Sequence, residues 1–245
     1  MSYVLKYAPK VLADVVIANT NVKDKLAAYV AGELKQPLIL HGEFGTGKTT
    51  IANLLPSAIE GKPALIEKLK AVEFNTVYDV SALFNAPPMF YKLFTTNGQN
   101  RNYMVSNEFN FTVKAALAFR DVIDELQEHT QFIFTTNNLA SIDKGLQDRS
   151  ICLNIPPVSA RDWLPRAKFI LKEEGVKLKD AQLLNFLTKQ LAVSTSNRKL
   201  LEQLEALVWD VKNPKTLVVT KSIKDLVPPK TPKPKAPVVN PLLAI

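Results

Sequence analysis

The sequence has few of the residues that build disulfides and zinc sites. Cys152 is the single cysteine among 245 residues, which excludes a disulfide framework. His41 and His129 are the two histidines, too few for a dedicated Cys/His zinc site. No apolar run reaches about 18 residues, and no apolar stretch follows Met1, so the sequence predicts neither a membrane span nor a secretory signal. We therefore expect a soluble, cytoplasmic chain.

Positive charge is concentrated at one end of the sequence. The net charge is +8, and the apolar share of 47% and charged share of 22% are ordinary for a globular protein, which excludes global disorder. Residues 212–245 hold seven lysines and one aspartate, and therefore six of the eight net charges. The same segment holds seven of the sixteen prolines. We expect a basic, flexible tail over 212–245, which serves as a solubilising linker or as a tether for a protein or nucleic-acid partner.

Strand and helix patterns alternate over the first two thirds of the chain. Apolar runs predict strands over 36–41, 103–106 and 131–136, and helical spacing predicts helices over 22–33, 48–59, 63–69 and 111–128. This alternation favours an α/β fold with a parallel sheet and helices on both faces. From Ser159 the period is helical throughout, with helices predicted over 160–175, 178–191 and 197–211. The predicted domains are an α/β domain over 1–157, a helical lid over 158–211 and the tail over 212–245. The predicted inward stripe of helix 111–128 is Val113, Ala116, Leu117, Phe119, Ile123 and Leu126.

The segment Gly42–Thr49 (GEFGTGKT) fits the phosphate-loop motif G-x-x-x-x-G-K-[ST]. It lies between a predicted strand and a predicted helix, which is the context that the motif requires. Glycines let backbone N–H groups converge on phosphate oxygens, and the helix N-terminus adds a favourable dipole. Lys48 can reach the β- and γ-phosphates, and the Thr49 hydroxyl can bind Mg²⁺. The sequence therefore predicts nucleotide binding here.

Two acidic segments compete for the role of the Walker B motif, which ends a neighbouring strand in P-loop enzymes. Asp124-Glu125 lies within the predicted helix 111–128, where a solvated helix face explains it better. Asn107-Glu108 follows the predicted strand 103–106, so Glu108 is the preferred base for the attacking water. Asn107 takes the place of the usual aspartate and brings no negative charge, which predicts weaker Mg²⁺ binding and slow hydrolysis.

Five further segments around this loop resemble the AAA+ ATPases of the clamp-loader group. That group comprises the small subunits of replication factor C and the equivalent loaders of tailed phages. The segments occur in the family's order and cover roughly residues 1–210. They are the N-terminal box at 3–16 (YVLKYAPKVLADVV), 107–110 (NEFN), the sensor 1 strand at 132–138 (FIFTTNN), 146–150 (LQDRS) and the sensor 2 region at 196–204 (SNRKLLEQL).

The resemblance implies a P-loop AAA+ sheet domain, a small all-helical lid, and ATP and Mg²⁺ as cofactors. It assigns Mg²⁺ to Thr49 and Asn107, and it assigns contacts with DNA to Lys114 and Arg120. The implied partners are other AAA+ clamp-loader subunits, a sliding clamp and primer–template DNA, with no membrane. The catalytic residues that it implies are Asn107, Glu108, Asn137, Arg149 as an arginine finger toward a neighbouring subunit, and Arg198. The implied nucleotide-binding residues are Tyr7, Pro9, Val16, Gly42, Gly45, Thr46, Gly47, Lys48, Thr49 and Thr50.

The sequence also departs from the family in ways that keep other hypotheses open. Ala8 replaces the usual arginine of the N-terminal box, and residues 212–245 are too few and too proline-rich for the family's helical collar domain. One alternative is an AAA+ helicase loader or replication initiator. Another, motivated by Asn107, is an adaptor that binds ATP as a switch and hydrolyses it weakly.

Overall fold

The computed structural model describes residues 1–70, 80, 98–107 and 112–213. The residues from 214 onward, which form nearly all of the predicted tail, lie outside these ranges. Two single 3-10 turns, Leu12–Asp14 and Leu139–Ser141, accompany the regular elements. These elements, in chain order, are α1 Tyr3–Lys6, α2 Thr20–Val30, β1 Leu38–His41, α3 Lys48–Glu60, β2 Glu67–Lys70, β3 Asn102–Asn107, α4 Val113–Leu126, β4 Thr130–Thr136, α5 Lys144–Asp148, β5 Ile151–Asn154, α6 Ala160–Glu173, α7 Asp180–Val193 and α8 Asn197–Lys212.

The strands form one parallel sheet in the order β2-β3-β4-β1-β5. Strand β1 lies between β4 and β5, with Leu38 opposite Ile133 on one side and Ile151 on the other. All strands run the same way, so their carboxyl ends meet at one edge, where polar side chains from different strands come together. The predicted parallel sheet is therefore confirmed.

Two strands differ from the sequence prediction. Residues 63–69 were expected to be helical, but Glu67–Lys70 is an edge strand that pairs with β3. Leu69 is the single buried apolar side chain of that strand, at 4% exposed, so the hydrophobic pattern is too short to distinguish strand from helix. Strand β5 was not predicted; it pairs with β1 and has a partly exposed face, which weakens its apolar pattern.

Helices cover both faces of the sheet. Side chains alternate along β1, so Ile39 packs with the α4 side while Leu38 and Leu40 pack with α2 and α3. The predicted inward position of Leu117 is wrong, since its side chain is 47% exposed. The buried face of α4 instead follows i, i+3, i+4 spacing, which places Leu117 on the opposite side of the helix. That buried face consists of Ala115, Ala116, Ala118, Phe119, Val122 and Ile123.

The last three helices pack around a second apolar cluster, as the sequence predicted. Trp163 and Ile170 of α6, Leu187 of α7 and Leu204 of α8 are at most 4% exposed. Tyr3 of the N-terminal helix joins the same cluster, so the first residues of the chain pack on the lid. No helix within the described ranges is long and apolar enough to cross a membrane.

Candidate nucleotide-binding site

The phosphate loop connects the end of β1 to the start of α3. Gly45 and Gly47 have φ angles of 75° and 101°, a left-handed backbone that residues with a Cβ rarely adopt. Helix α3 begins at Lys48, so its N-terminal amides face the loop. This is the strand–loop–helix context predicted from the motif, and it presents backbone N–H groups to an anion.

The side chain of Lys48 lies against the loop that precedes it. Its Nζ donates to the carbonyl oxygen of Gly42 at 2.9 Å and to that of Glu43 at 2.5 Å. Lys48 is 6% exposed, and burial lowers the pKa of its ammonium group. The Thr46 hydroxyl, also buried, donates to the Glu43 carbonyl at 3.0 Å. These bonds hold the loop's carbonyl groups and help to fix its shape.

Two asparagines lie at the carboxyl edge of the sheet, at the ends of β3 and β4. Asn107 ends β3, and its buried Oδ1 has no hydrogen-bond partner among the described residues. Asn137 directly follows β4, in a turn where the Asn138 amide donates to the Thr136 hydroxyl at 3.1 Å. The neighbouring Glu108 lies outside the described residues.

A cavity of about 580 Å³ brings the predicted site residues together. The N-terminal box, the phosphate loop, the sensor 1 position and the lid helix α8 all contribute to its walls. Gly42, Thr46 and Asn107 are not among its lining residues. The predicted residues that line it are Tyr7, Pro9, Val16, Gly45, Gly47, Lys48, Thr49, Thr50, Asn137 and Arg198.

Trp163, Arg166 and Asn197 are lid residues that line the cavity and were not among the predicted site residues. The Trp163 indole N–H donates to Asn197 Oδ1 at 2.8 Å, and the backbone N–H of Asn197 donates to Gly45 O at 3.0 Å. Arg166 donates to Tyr7 O at 3.0 Å. A buried tryptophan needs a partner for its N–H, which marks Trp163 as noteworthy, but the sequence does not show which partner it finds.

The N-terminal box is fixed to the lid through Glu174. This carboxylate accepts from Lys6 at 2.6 Å, from the Tyr7 hydroxyl at 2.7 Å and from Lys212 at 2.9 Å. The hydrogen bond from Lys6, followed by those from Lys212 and Tyr7, lowers the pKa of Glu174 to about 2. At the end of β1, burial first and the charge of Lys48 second lower the pKa of His41.

The predicted arginine finger lies away from this chain's own cavity. Arg149 follows α5, and its Nε and Nη2 donate to the carboxylate of Asp124 on α4 at 2.8–3.0 Å. Its side chain is 36% exposed.

The two predicted DNA contacts on α4 differ in their surroundings. The Arg120 Nε donates to Asp143 at 2.8 Å and its Nη2 at 2.5 Å, in a two-pronged ion pair with the N-cap of α5. Lys114 is exposed and has no hydrogen bond or ion pair with any residue that the structure describes.

The residues present fit a nucleotide with Mg²⁺. The described ranges contain no group of three His, Cys, Asp or Glu side chains that could hold a metal ion. A protein cage of that kind is not needed for Mg²⁺ beside phosphates, because the phosphates and waters supply most of its oxygen ligands. Thr49 lines the cavity, and the buried Oδ1 of Asn107, which has no partner among the described residues, is an oxygen acceptor at the end of β3.

A phosphate loop after β1, asparagines at the end of β3 and directly after β4, and a helical lid that lines the cavity together have the arrangement of an AAA+-type P-loop fold. Solved structures agree on the fold. A RuvB mutant from Thermotoga maritima matches with a TM-score of 0.62 and 17% identity over 88% of this chain and 68% of that one. The Thermotoga maritima RuvB Holliday junction branch migration motor matches with a TM-score of 0.53 and 18% identity over 87% and 80%. No family model matches the chain.

Sequence relatives narrow the class. Replication factor C small subunit 2 of Pyrobaculum arsenaticum is 25% identical over 181 residues, which cover 73% of this chain and 55% of the relative. Replication factor C subunit 4 of Saccharomyces cerevisiae is 28% identical over 181 residues, 72% of this chain and 55% of the relative. The chain thus spans about half the length of the curated relatives that it matches. With the fold, they confirm the predicted resemblance and support a clamp-loader-type AAA+ ATPase.

Proposed function

We propose that the chain is an ATP-binding subunit of a clamp loader in DNA replication. In this role it couples ATP binding and hydrolysis to the placement of a sliding clamp on primer–template DNA. The observation that carries the proposal is the cavity, where the phosphate loop, the N-terminal box, Asn137 and Arg198 meet. The likeness to replication factor C small subunits favours a clamp over a helicase as the client.

The phosphates of ATP would lie on the loop, and its base would lie toward the N-terminal box. Lys48 would exchange its bonds with the loop carbonyls for bonds with the phosphates, and Thr49 would hold Mg²⁺ with Asn107 behind it. Mg²⁺ bound there would neutralise charge that develops on the phosphates. Tyr7, Pro9 and Val16 also line the cavity and offer apolar surface to the base.

Water activation would fall to Asn137 and Glu108. Asn137 lines the cavity beside Lys48 and Thr49, where its amide can hydrogen-bond a water or a phosphate oxygen. Asn107 supplies an amide where P-loop enzymes use a carboxylate, so we expect slow turnover compared with an aspartate at this position.

Arg149 would act on a neighbouring subunit. Its distance from this chain's own cavity and its partial exposure favour a contact in trans, and activity would then require assembly with other AAA+ subunits. Arg198, which is exposed and lines the cavity, would link the nucleotide to the lid. On α4, Lys114, which has no partner in the part of the chain that the structure describes, can meet a DNA phosphate, whereas Arg120 would first have to leave Asp143. The basic tail from residue 214 onward would dock a partner.

The test is to measure ATP binding and ATP turnover with the purified chain. Turnover is measured alone and then with candidate partner subunits, a sliding clamp and primed DNA. We expect ATP binding in the isolated chain and faster turnover in the full mixture. Lys48→Ala should abolish binding, while Lys189→Ala, an exposed lysine of α7, should leave it intact. Absence of ATP binding under every condition refutes the proposal, and capture of a replicative helicase instead of a clamp favours the helicase-loader alternative.

A further inference from the structure

The N-terminal end of α8 touches the phosphate loop at three consecutive residues. The Thr195 hydroxyl donates to the Glu43 carboxylate at 2.8 Å, and the backbone N–H of Asn197 donates to the backbone carbonyl of Gly45 at 3.0 Å. Between them, Ser196 packs on Gly45 so closely that a Cβ added there would lie 2.7 Å from Ser196 Cβ. The lid is therefore seated directly on the loop.

Asn197 is itself held from the lid side. Its Oδ1 accepts the Trp163 indole N–H at 2.8 Å, and Trp163 is 4% exposed within the lid cluster. Asn197 thus joins three elements. It begins α8, its side chain is bonded to Trp163 of α6, and its backbone N–H donates to the loop. A partly buried hydrogen bond from a rigid aromatic ring fixes such a junction more firmly than a solvent-exposed one.

The bond to Gly45 has a consequence for phosphate binding. In a trans peptide unit the carbonyl and the following N–H point in opposite directions, so holding Gly45 O also sets the direction of the Thr46 N–H. The Gly42 and Glu43 carbonyls are already held by Lys48, and that of Glu43 also by Thr46. The backbone N–H of Asn197 holds a third loop carbonyl, that of Gly45. With these carbonyls held, the backbone N–H groups of the loop turn toward an anion.

We propose that Asn197 is a positioning residue for the phosphate loop, anchored by Trp163. This inference rests on the proposed nucleotide binding and adds a second route from the lid to the nucleotide, besides Arg198. Seating of the lid orders the loop for phosphates, and displacement of the lid loosens it. The affinity for ATP therefore depends on a side-chain bond between two lid helices.

The experiment compares three variants with the wild-type chain: Asn197→Leu, Trp163→Phe and the double variant. Each single change removes the bond between the two side chains: leucine has about the size of asparagine without its acceptor, and phenylalanine keeps an aromatic ring without the N–H. We expect each to weaken ATP binding by about three- to tenfold, the effect of one hydrogen bond. The double variant should be no weaker than the weaker single variant, because both changes break the same bond. Gln203→Leu, an exposed position of α8, is the matched control and should bind like the wild type.

Binding is measured by competition against a fluorescent ATP analogue, with ATP, ADP and adenosine as competitors. Weaker ATP and ADP binding with unchanged adenosine binding supports a role at the phosphates. The inference is overturned if the wild type binds ATP and both single variants bind it within twofold of wild type. It is also overturned if the two losses add in the double variant, or if adenosine binding falls in parallel. A wild-type chain that binds no ATP refutes the proposed function itself. If Asn197→Leu does not fold, Trp163→Phe decides alone.

Discussion

Replacing Gly45 by alanine is expected to destabilise the chain and to weaken ATP binding together. The position has a φ of 75°, and the new Cβ would lie 2.7 Å from Ser196 Cβ and 3.0 Å from Ser196 Cα. Contacts below 3.0 Å force a shift, and here they are with the Ser196 Oγ and Cβ, while the Ser196 Cα leaves no spare room behind them. Since the lid is seated on this glycine, the strain must move the lid, the loop or both.

The cost has two parts that can be separated. A left-handed alanine costs about 1–2 kcal/mol, and forcing extra volume into a packed contact costs about 1–3 kcal/mol more. Gly32→Ala isolates the first part, because Gly32 has a φ of 76° and open space around its added Cβ. Gly45→Ala should therefore lower the free energy of unfolding by about 2–5 kcal/mol and Gly32→Ala by about 1–2 kcal/mol.

Ser196→Gly in the Gly45→Ala background tests the source of the second part. Ser196 is the N-cap of α8, where glycine costs only a few tenths of a kcal/mol. The double variant should regain most of the packing cost of about 1–3 kcal/mol, while the cost of the left-handed φ and of the close Cα at position 196 remains. Denaturant unfolding gives the free energies, and titration with ATP gives the affinity. Equal losses for Gly45→Ala and Gly32→Ala, or no recovery in the double variant, would refute the lid contact as the cause.

Three further changes test other contacts. Asn107→Asp should raise ATP turnover of the assembled complex several-fold if the amide limits Mg²⁺ binding, and unchanged turnover would contradict that role. The wild type should have a higher free energy of unfolding than Glu174→Gln, and this difference should be full above about pH 5. It should shrink as the pH falls toward the Glu174 pKa of about 2, because a carboxylate with a lowered pKa stabilises the fold only while it is ionised. A difference that does not change with pH contradicts this role of Glu174. Asp143→Ala should lower the free energy of unfolding by about 1 kcal/mol more than Asp143→Asn. Both variants lose the charge that pairs with Arg120, but asparagine can still accept from Leu146 N and cap α5. Equal losses would exclude the role of the cap.

Sequence reasoning succeeded where the information is local. The phosphate loop is one contiguous motif whose glycines and lysine fix its conformation, so its place between β1 and α3 followed from eight residues. The three lid helices were predicted within a few residues because each has a long amphipathic pattern, as in Ala160–Glu173. Asn137 was placed correctly after β4 because β4 is a fully buried strand that ends in a turn.

Contacts between distant segments could not be predicted from the sequence. Strand β2 exists because β3 offers it backbone partners, and no pattern within residues 67–70 shows this. The hydrogen bond between Trp163 and Asn197 joins residues that are 34 positions apart. The backbone N–H of Asn197 bonds to a loop that lies more than 150 residues earlier in the chain. Backbone donors carry no residue-type signal, so the seat of the lid on the phosphate loop could be found only in three dimensions.

The two ion pairs between α4 and α5 bear on counterion release. Arg120 and Arg149 are each neutralised by a carboxylate within 3.0 Å, so neither attracts phosphate from afar while the pairs persist. Residues 113–126 carry two basic and three acidic side chains, which leaves Lys114 as the free cation of α4 among the described residues. Each duplex phosphate that is neutralised makes the slope of log affinity against log salt more negative by about 0.9. Binding to DNA through this face alone would therefore have a shallow salt dependence, and a steep one would point to the lysines of residues 215–235.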